Sequence, residues 1–116
     1  MSTYKWSEIA VEQMNPQVTR QVIHGGSITI ARLGIARGGS VPTHSHINEQ
    51  VMNIISGSLK VILDGVEMVL HGGESLVIAP NIPHSVEALE ETVAVDVFSP
   101  VREDWIRGDD AYLRGS

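Results

Sequence analysis

Glycine and proline interrupt the middle of this chain so often that its apolar residues come only in short runs. Gly25-Gly26, Gly38-Gly39, Gly57, Asp64-Gly65, Gly72-Gly73 and the stretch from Pro80 to Pro83 each mark a turn. Between them Val, Ile and Leu dominate, residues that suit a pleated and half-buried surface. Ser27 to Ala36 reads SITIARLGIA, an alternating strand. Val51 to Ile55 and Leu59 to Leu63 flank Ser56-Gly57-Ser58. Val66 to Leu70 follows Asp64-Gly65, a pair that favours a tight hairpin because glycine accepts positive φ. Ser75 to Ala79 and Thr92 to Phe98 are the last two apolar runs. Nothing in this region repeats with a helical period, so the pattern predicts an all-β sandwich or barrel. Short helical turns are expected only at the ends, over Ser7 to Met14 and Glu103 to Leu113. The second retains Trp105, Ile106, Tyr112 and Leu113, so this tail is expected to pack on the body of the protein.

The 116 residues suit a single domain, with a barrel core over about 18–100 and a tail over 101–116. Hydrophobic residues at 42% and charged residues at 19% are a globular balance. The net charge of −6 repels phosphate backbones and anionic lipid, which argues against nucleic-acid or membrane partners. It leaves room for an anionic small molecule, because a metal and a few arginines can reverse the sign inside a pocket. The absence of cysteine excludes disulfides, thiolate ligands and cysteine nucleophiles. Met1 to Ala10 carries Lys5 and Glu8 without the apolar core of a leader, and no apolar run approaches the roughly 18 residues of a membrane span. A cytoplasmic protein is expected.

Two segments carry candidate chemistry. Gly38 to Gly57 reads GGSVPTHSHINEQVMNIISG. In a strand His44 and His46 share a face, and Gln50 joins them if the strand is regular, whereas Glu49 has the opposite parity. A bulge between His46 and Gln50 would exchange Gln50 for Glu49. Gly73 to His84 reads GESLVIAPNIPH, in which a strand enters a proline-restricted turn and delivers His84. Three neutral imidazoles and an amide oxygen suit one divalent ion, with Zn, Ni, Mn, Fe, Co and Cu all compatible, and leave coordination positions free. A His-x-His pair alone is more often a surface pair, which is the reading given to His24 and His71. The second element, ending at His84, sets His44 and His46 apart. In the last apolar run, Val93, Val95 and Val97 share one face, and Thr92, Ala94, Asp96 and Phe98 share the other. An Asp inside an apolar strand is either held by turn amides or Arg102, or faces a cavity as an acid–base group.

These segments resemble the two motifs of the cupin family. Gly38, His44, His46, Gln50 and Gly57 match the first motif, with Val51 where glutamate is the commonest ligand. Gly73 and His84 match the second, with Ala79 and Asn81 in place of its proline and glycine. The resemblance covers about residues 25–100 and implies a double-stranded β-helix, a jelly roll closed around a metal held by His44, His46, Gln50 and His84. The stretch from Asp96 to Asp104, with His44-Ser45-His46 and Glu49-Gln50, is similar to the KdgF-type cupins of pectin degradation, with Val101 in place of a second proline. That resemblance implies carbohydrate metabolism, an enzyme that linearises or isomerises unsaturated uronates, and functional roles for Asp96, Phe98 and Arg102. Arg102 or Arg37 would pair with a substrate carboxylate, Arg37 being the more ordinary surface residue. Three alternatives stay open: a metal-dependent oxygenase, a polyketide cyclase-type cupin, and a sugar-binding module without turnover. A homodimer is expected, with the β-rich stretch Val18 to Ile23 pairing across a two-fold axis.

Overall fold

The structure is a computed structural model and describes residues 2–114. A 3-10 turn at Trp6–Glu8 precedes strands β1 (Glu12–Asn15), β2 (Val18–His24), β3 (Thr29–Ile35), β4 (Ser40–His44), β5 (Glu49–Ser56), β6 (Ser58–Leu63), β7 (Val66–His71), β8 (Ser75–Ile78), β9 (His84–Ala88) and β10 (Thr92–Ser99). Two single-turn helices follow, α1 (Glu103–Ile106) and α2 (Ala111–Arg114). The β6–β7 hairpin turns through Asp64 (φ 49°) and Gly65 (φ 82°), two left-handed residues whose twist matches that of the strands. Among the described residues no helix is long and apolar enough to cross a membrane.

The strands form two antiparallel sheets, ordered β1-β2-β3-β10-β5-β8 and β4-β9-β6-β7. From β3 onward this is the strand order of a jelly roll, a double-stranded β-helix, and β1 and β2 widen one of its sheets. Its inner face can be read rung by rung. Leu33, Ala94 and Ile54 lie side by side on β3, β10 and β5, as do Ala31, Asp96 and Met52, then Thr29, Phe98 and Gln50. The first rung is apolar and the last is partly polar, so the core gives way to the site along the barrel axis. Val41, Leu59, Val61 and Val86 close the core from the other sheet.

One expectation is corrected at the N-terminal end. The helical turn expected over Ser7 to Met14 exists only as the 3-10 turn ending at Glu8, and the rest extends into β1. Pairing of Glu12 with Arg20 and of Gln13 with Thr19 decides this, as does the Gln21 amide, which donates to the Trp6 and Ile9 carbonyls at 2.7 and 2.9 Å. Val18 to Ile23 lies in β2, which is paired with β3 along its length and with β1 over Val18 to Arg20.

Candidate metal centre

The site forms at the end of the barrel where β4 meets β9. His44 is the last residue of β4 and His84 the first of β9, and the two are cross-strand partners. Pairing moves from Val41–Val86 to His44–His84, three steps along β4 against two along β9, so one extra residue lies between. This bulge turns His44 inward, a parity that strict alternation from the buried Val41 would deny it. His46 lies beyond the strand, and its carbonyl accepts the backbone N–H of Asn81 at 2.7 Å. Asn81 has φ 66°, the left-handed conformation that asparagine tolerates better than most residues. Gln50 belongs to β5, in the opposite sheet.

The regular strand expected to carry His44, His46 and Gln50 on one face is therefore absent. The chain crosses between the sheets over residues 45–48, and Gln50 faces the histidines from the other side of the barrel. Gln50 is nonetheless the inward residue, 3% exposed, and Glu49 points out to solvent.

The three imidazoles converge. Their candidate ligand atoms lie within 4.8 Å of one another, with ring centroids 4.2 Å apart for His44 and His84 and 5.0 Å for His46 and His84. In each ring Nδ1 contacts a nearby backbone carbonyl: Pro42 at 2.8 Å for His44, Asn48 at 3.0 Å for His46, and Ile82 at 2.8 Å for His84. A carbonyl only accepts, so Nδ1 carries the proton and the Nε2 lone pairs are left for the centre. Burial pushes His44 and His46 down to about 4 and lowers His84 as well, so at neutral pH the rings are neutral, the form that binds metals.

Two further observations fit a cation. Nε2 of His84 is buried with no hydrogen-bond partner. Nε2 of His46 lies 3.0 Å from Oε1 of Gln50, lone pair against lone pair once Nδ1 holds the proton. The three histidines can hold one ion, and Gln50 is placed to add a neutral oxygen. Among the described residues this is the group of metal-ligating side chains that converges, and His24 and His71 lie outside it. His24 Nδ1 instead contacts Thr29 Oγ1 at 2.8 Å.

Asp96 shares the cavity with His44, Gln50 and His84. It is 3% exposed, and its Oδ1 has no partner. Burial pushes its carboxyl up to about 7, against the opposing pull of the Arg102 charge and a hydrogen bond from Gln50. No ion pair within 4.0 Å joins it to Arg102, whose partner is Asp104. Phe98 packs edge-on against His46 at 5.6 Å and against Trp105 at 5.1 Å, so it forms an apolar wall of the site.

Arg102 is 1% exposed and its fork is engaged: Nε and Nη2 donate to the two Asp104 oxygens at 2.9 and 2.8 Å. Its guanidinium lies over the rings of Phe98 and Trp105, at 4.6 and 4.2 Å. It stands beside the cavity as a rigid positive charge, and the expected bidentate grip on a ligand carboxylate would have to displace Asp104. Arg37 is exposed and does not line the cavity.

Two residues escaped the sequence reading. Asn48 is buried, and its Nδ2 donates to the Pro100 carbonyl at 2.6 Å and the Val101 carbonyl at 3.3 Å, tying the His46 loop to the chain after β10. Tyr112 stacks on His44 with ring centroids 4.6 Å apart. A lone Asn beside a motif gives no signal, and Tyr112 signalled only that the tail packs. Asn48→Ala leaves the carbonyl that holds His46 but frees the loop. We expect roughly tenfold weaker metal binding in competition with a chelator, at the low end for groups that orient ligands.

The sequence model described as Cupin domain matches residues 31–99, from β3 to the end of β10. Over 98 residues the chain is 29% identical to the pectin degradation protein KdgF of Dickeya dadantii, covering 82% of this chain and 89% of that protein. It is 29% identical over 99 residues to 3-hydroxyanthranilate 3,4-dioxygenase of Candida albicans, covering 80% of this chain and 56% of that enzyme. Among solved structures, KdgF from Halomonas sp. superposes with a TM-score of 0.85 at 25% identity, covering 90% of this chain and 98% of that one.

Proposed function

The chain belongs to the cupin family, and on that footing we propose that it is a metal-dependent enzyme of carbohydrate metabolism that linearises or isomerises an unsaturated uronate. The observation that carries the reading is Asp96, a buried carboxyl with an unpartnered oxygen in the cavity the histidines line. Proton transfer needs such a group, and a carboxyl that burial raises toward neutrality suits that role. The likeness to two KdgF proteins supplies the substrate class.

Linearisation is an isomerisation. The anomeric hydroxyl loses its proton, the bond from the anomeric carbon to the ring oxygen breaks, and the released enol takes a proton on carbon to become a ketone. A divalent ion held by His44, His46, Gln50 and His84 supplies Lewis acidity toward a sugar oxygen. Asp96 holds and returns the proton of the enol-to-keto step. Phe98 keeps water from one side of the sugar, and Arg102 offers positive charge to its carboxylate. The test is the loss of ultraviolet absorbance from the conjugated double bond of an unsaturated uronate, with metal-loaded protein. A rate no faster than the spontaneous one would sink the reading. The dioxygenase likeness favours a second reading, oxygen chemistry at the same ligands, which predicts oxygen uptake with an aromatic substrate and iron.

We also propose a cytoplasmic homodimer. Ile23, Ile30, Val97, Val51 and Val77 run as one apolar row across the outer face of β2, β3, β10, β5 and β8, where an antiparallel sheet facing water is ordinarily polar. Exposed Arg32 and Glu49 flank the row on opposite sides, so a two-fold axis in the plane of the face sets one against the other. Val97→Lys should halve the mass measured by light scattering at micromolar concentration, and a wild-type monomer under the same conditions removes the proposal.

A further inference from the structure

The last described residues of the chain do more than cover the barrel. After Gly108, a left-handed hinge with φ 85°, the chain turns back, and Tyr112 and Leu113 join Trp105, His44, Asp96 and Arg102 in lining the cavity. With this strap seated the cavity measures about 40 Å³. That is room for a few waters, where sites for small organic ligands run to roughly 300–1,000 Å³. A sugar cannot share the cavity with the strap in this position.

The strap is held by a compact latch. Asp110, 2% exposed, accepts from Arg20 at 2.9 Å and from Arg114 at 2.9 and 3.1 Å, and the Leu113 carbonyl accepts from Asn15 Nδ2 at 2.8 Å. Seating also spends the lone pairs of the Tyr112 phenol, which accepts from Arg102 Nη2 at 2.8 Å and from Trp105 Nε1 at 3.1 Å. Both hydrogen bonds seen at the phenol among the described residues are accepted, leaving its O–H to donate, while Oδ1 of Asp96 in the same cavity has no donor. The two are an unspent donor and an unspent acceptor.

We propose that residues 109–114 form a hinged strap that must lift off the metal centre to admit substrate, with Asp110 as its latch and Tyr112 as a hydrogen-bond donor that positions the bound uronate opposite Asp96. The substrate class rests on the reading above, and the strap itself does not. Hydrogen exchange over residues 109–114 and the rate at which EDTA withdraws zinc from the loaded protein report the strap without any substrate. Asp110→Asn should raise both, with zinc withdrawal about tenfold faster, and Arg114→Ala, which removes one exposed partner, should do the same to a smaller extent. Tyr112→Phe keeps the ring on His44 but removes the acceptor of Arg102 and Trp105, so both measurements should rise less than in Asp110→Asn, while kcat/KM for an unsaturated uronate falls about tenfold, mainly through KM. Exchange and withdrawal rates in Asp110→Asn equal to those of the wild type would overturn the gate, and an unchanged kcat/KM in Tyr112→Phe would overturn the donor. A wild type that turns over no unsaturated uronate defeats the functional reading and with it the donor, and leaves the gate to be decided by exchange and EDTA alone.

Discussion

Replacing His84 with alanine is expected to take the metal content of the purified protein from near one ion per chain to near zero. The side chain is 2% exposed, sits in register opposite His44, and presents an Nε2 that no protein group satisfies. Without it two imidazoles and an amide remain, a set lacking the enclosure that holds a divalent ion. The loss should appear in stability too. A ligand at a hundred times its Kd adds about 2.7 kcal/mol to the folded state, so the wild type should melt higher with metal than with chelator. The variant should melt at one temperature in both. Elemental analysis beside far-ultraviolet circular dichroism separates loss of the site from loss of the fold. A folded variant that retains stoichiometric metal would remove the metal centre and leave a binding barrel as the better account.

Asp96→Asn is the complementary experiment. The two side chains have the same shape, and in the proposed mechanism Asp96 acts on substrate and not as one of the four ligands, so metal content should be unchanged. The rate should nonetheless fall by about 10²–10⁴ in kcat, the usual contribution of a positioned acid–base group. A variant with wild-type kcat would return Asp96 to a structural role. Stability gives an independent check in chelated protein. Burial raises the carboxyl from 3.8 to about 7 in the folded state. The folded protein therefore holds this proton where the unfolded chain releases it. The sign follows by linkage: the stability associated with Asp96 is fully present below about pH 4 and is lost as pH rises through about 7. Because Asn does not titrate, the variant should gain on the wild type across that window, and parallel melting curves from pH 4 to 8 would contradict the buried, unpaired carboxyl.

Much of this protein could be read from the order of its residues. Alternation put Thr92, Ala94, Asp96 and Phe98 on one face of β10, and all four are buried. Asp64-Gly65 marked the hairpin, and strand parity separated Gln50, which is buried, from Glu49, which is exposed. These features depend on neighbours a few residues apart, on the two-residue period of a strand and on what glycine and asparagine allow the backbone to do. What only the tertiary structure decided depends on pairings between distant strands. The cross-strand register turned His44 inward through a bulge and set Gln50 across the barrel from it. The fold of the tail delivered Asp104 to the Arg102 fork and Tyr112 to the His44 ring. Periodicity tells which face of a strand a residue takes. It carries no information about which strand, or which tail, that face will meet once the barrel closes.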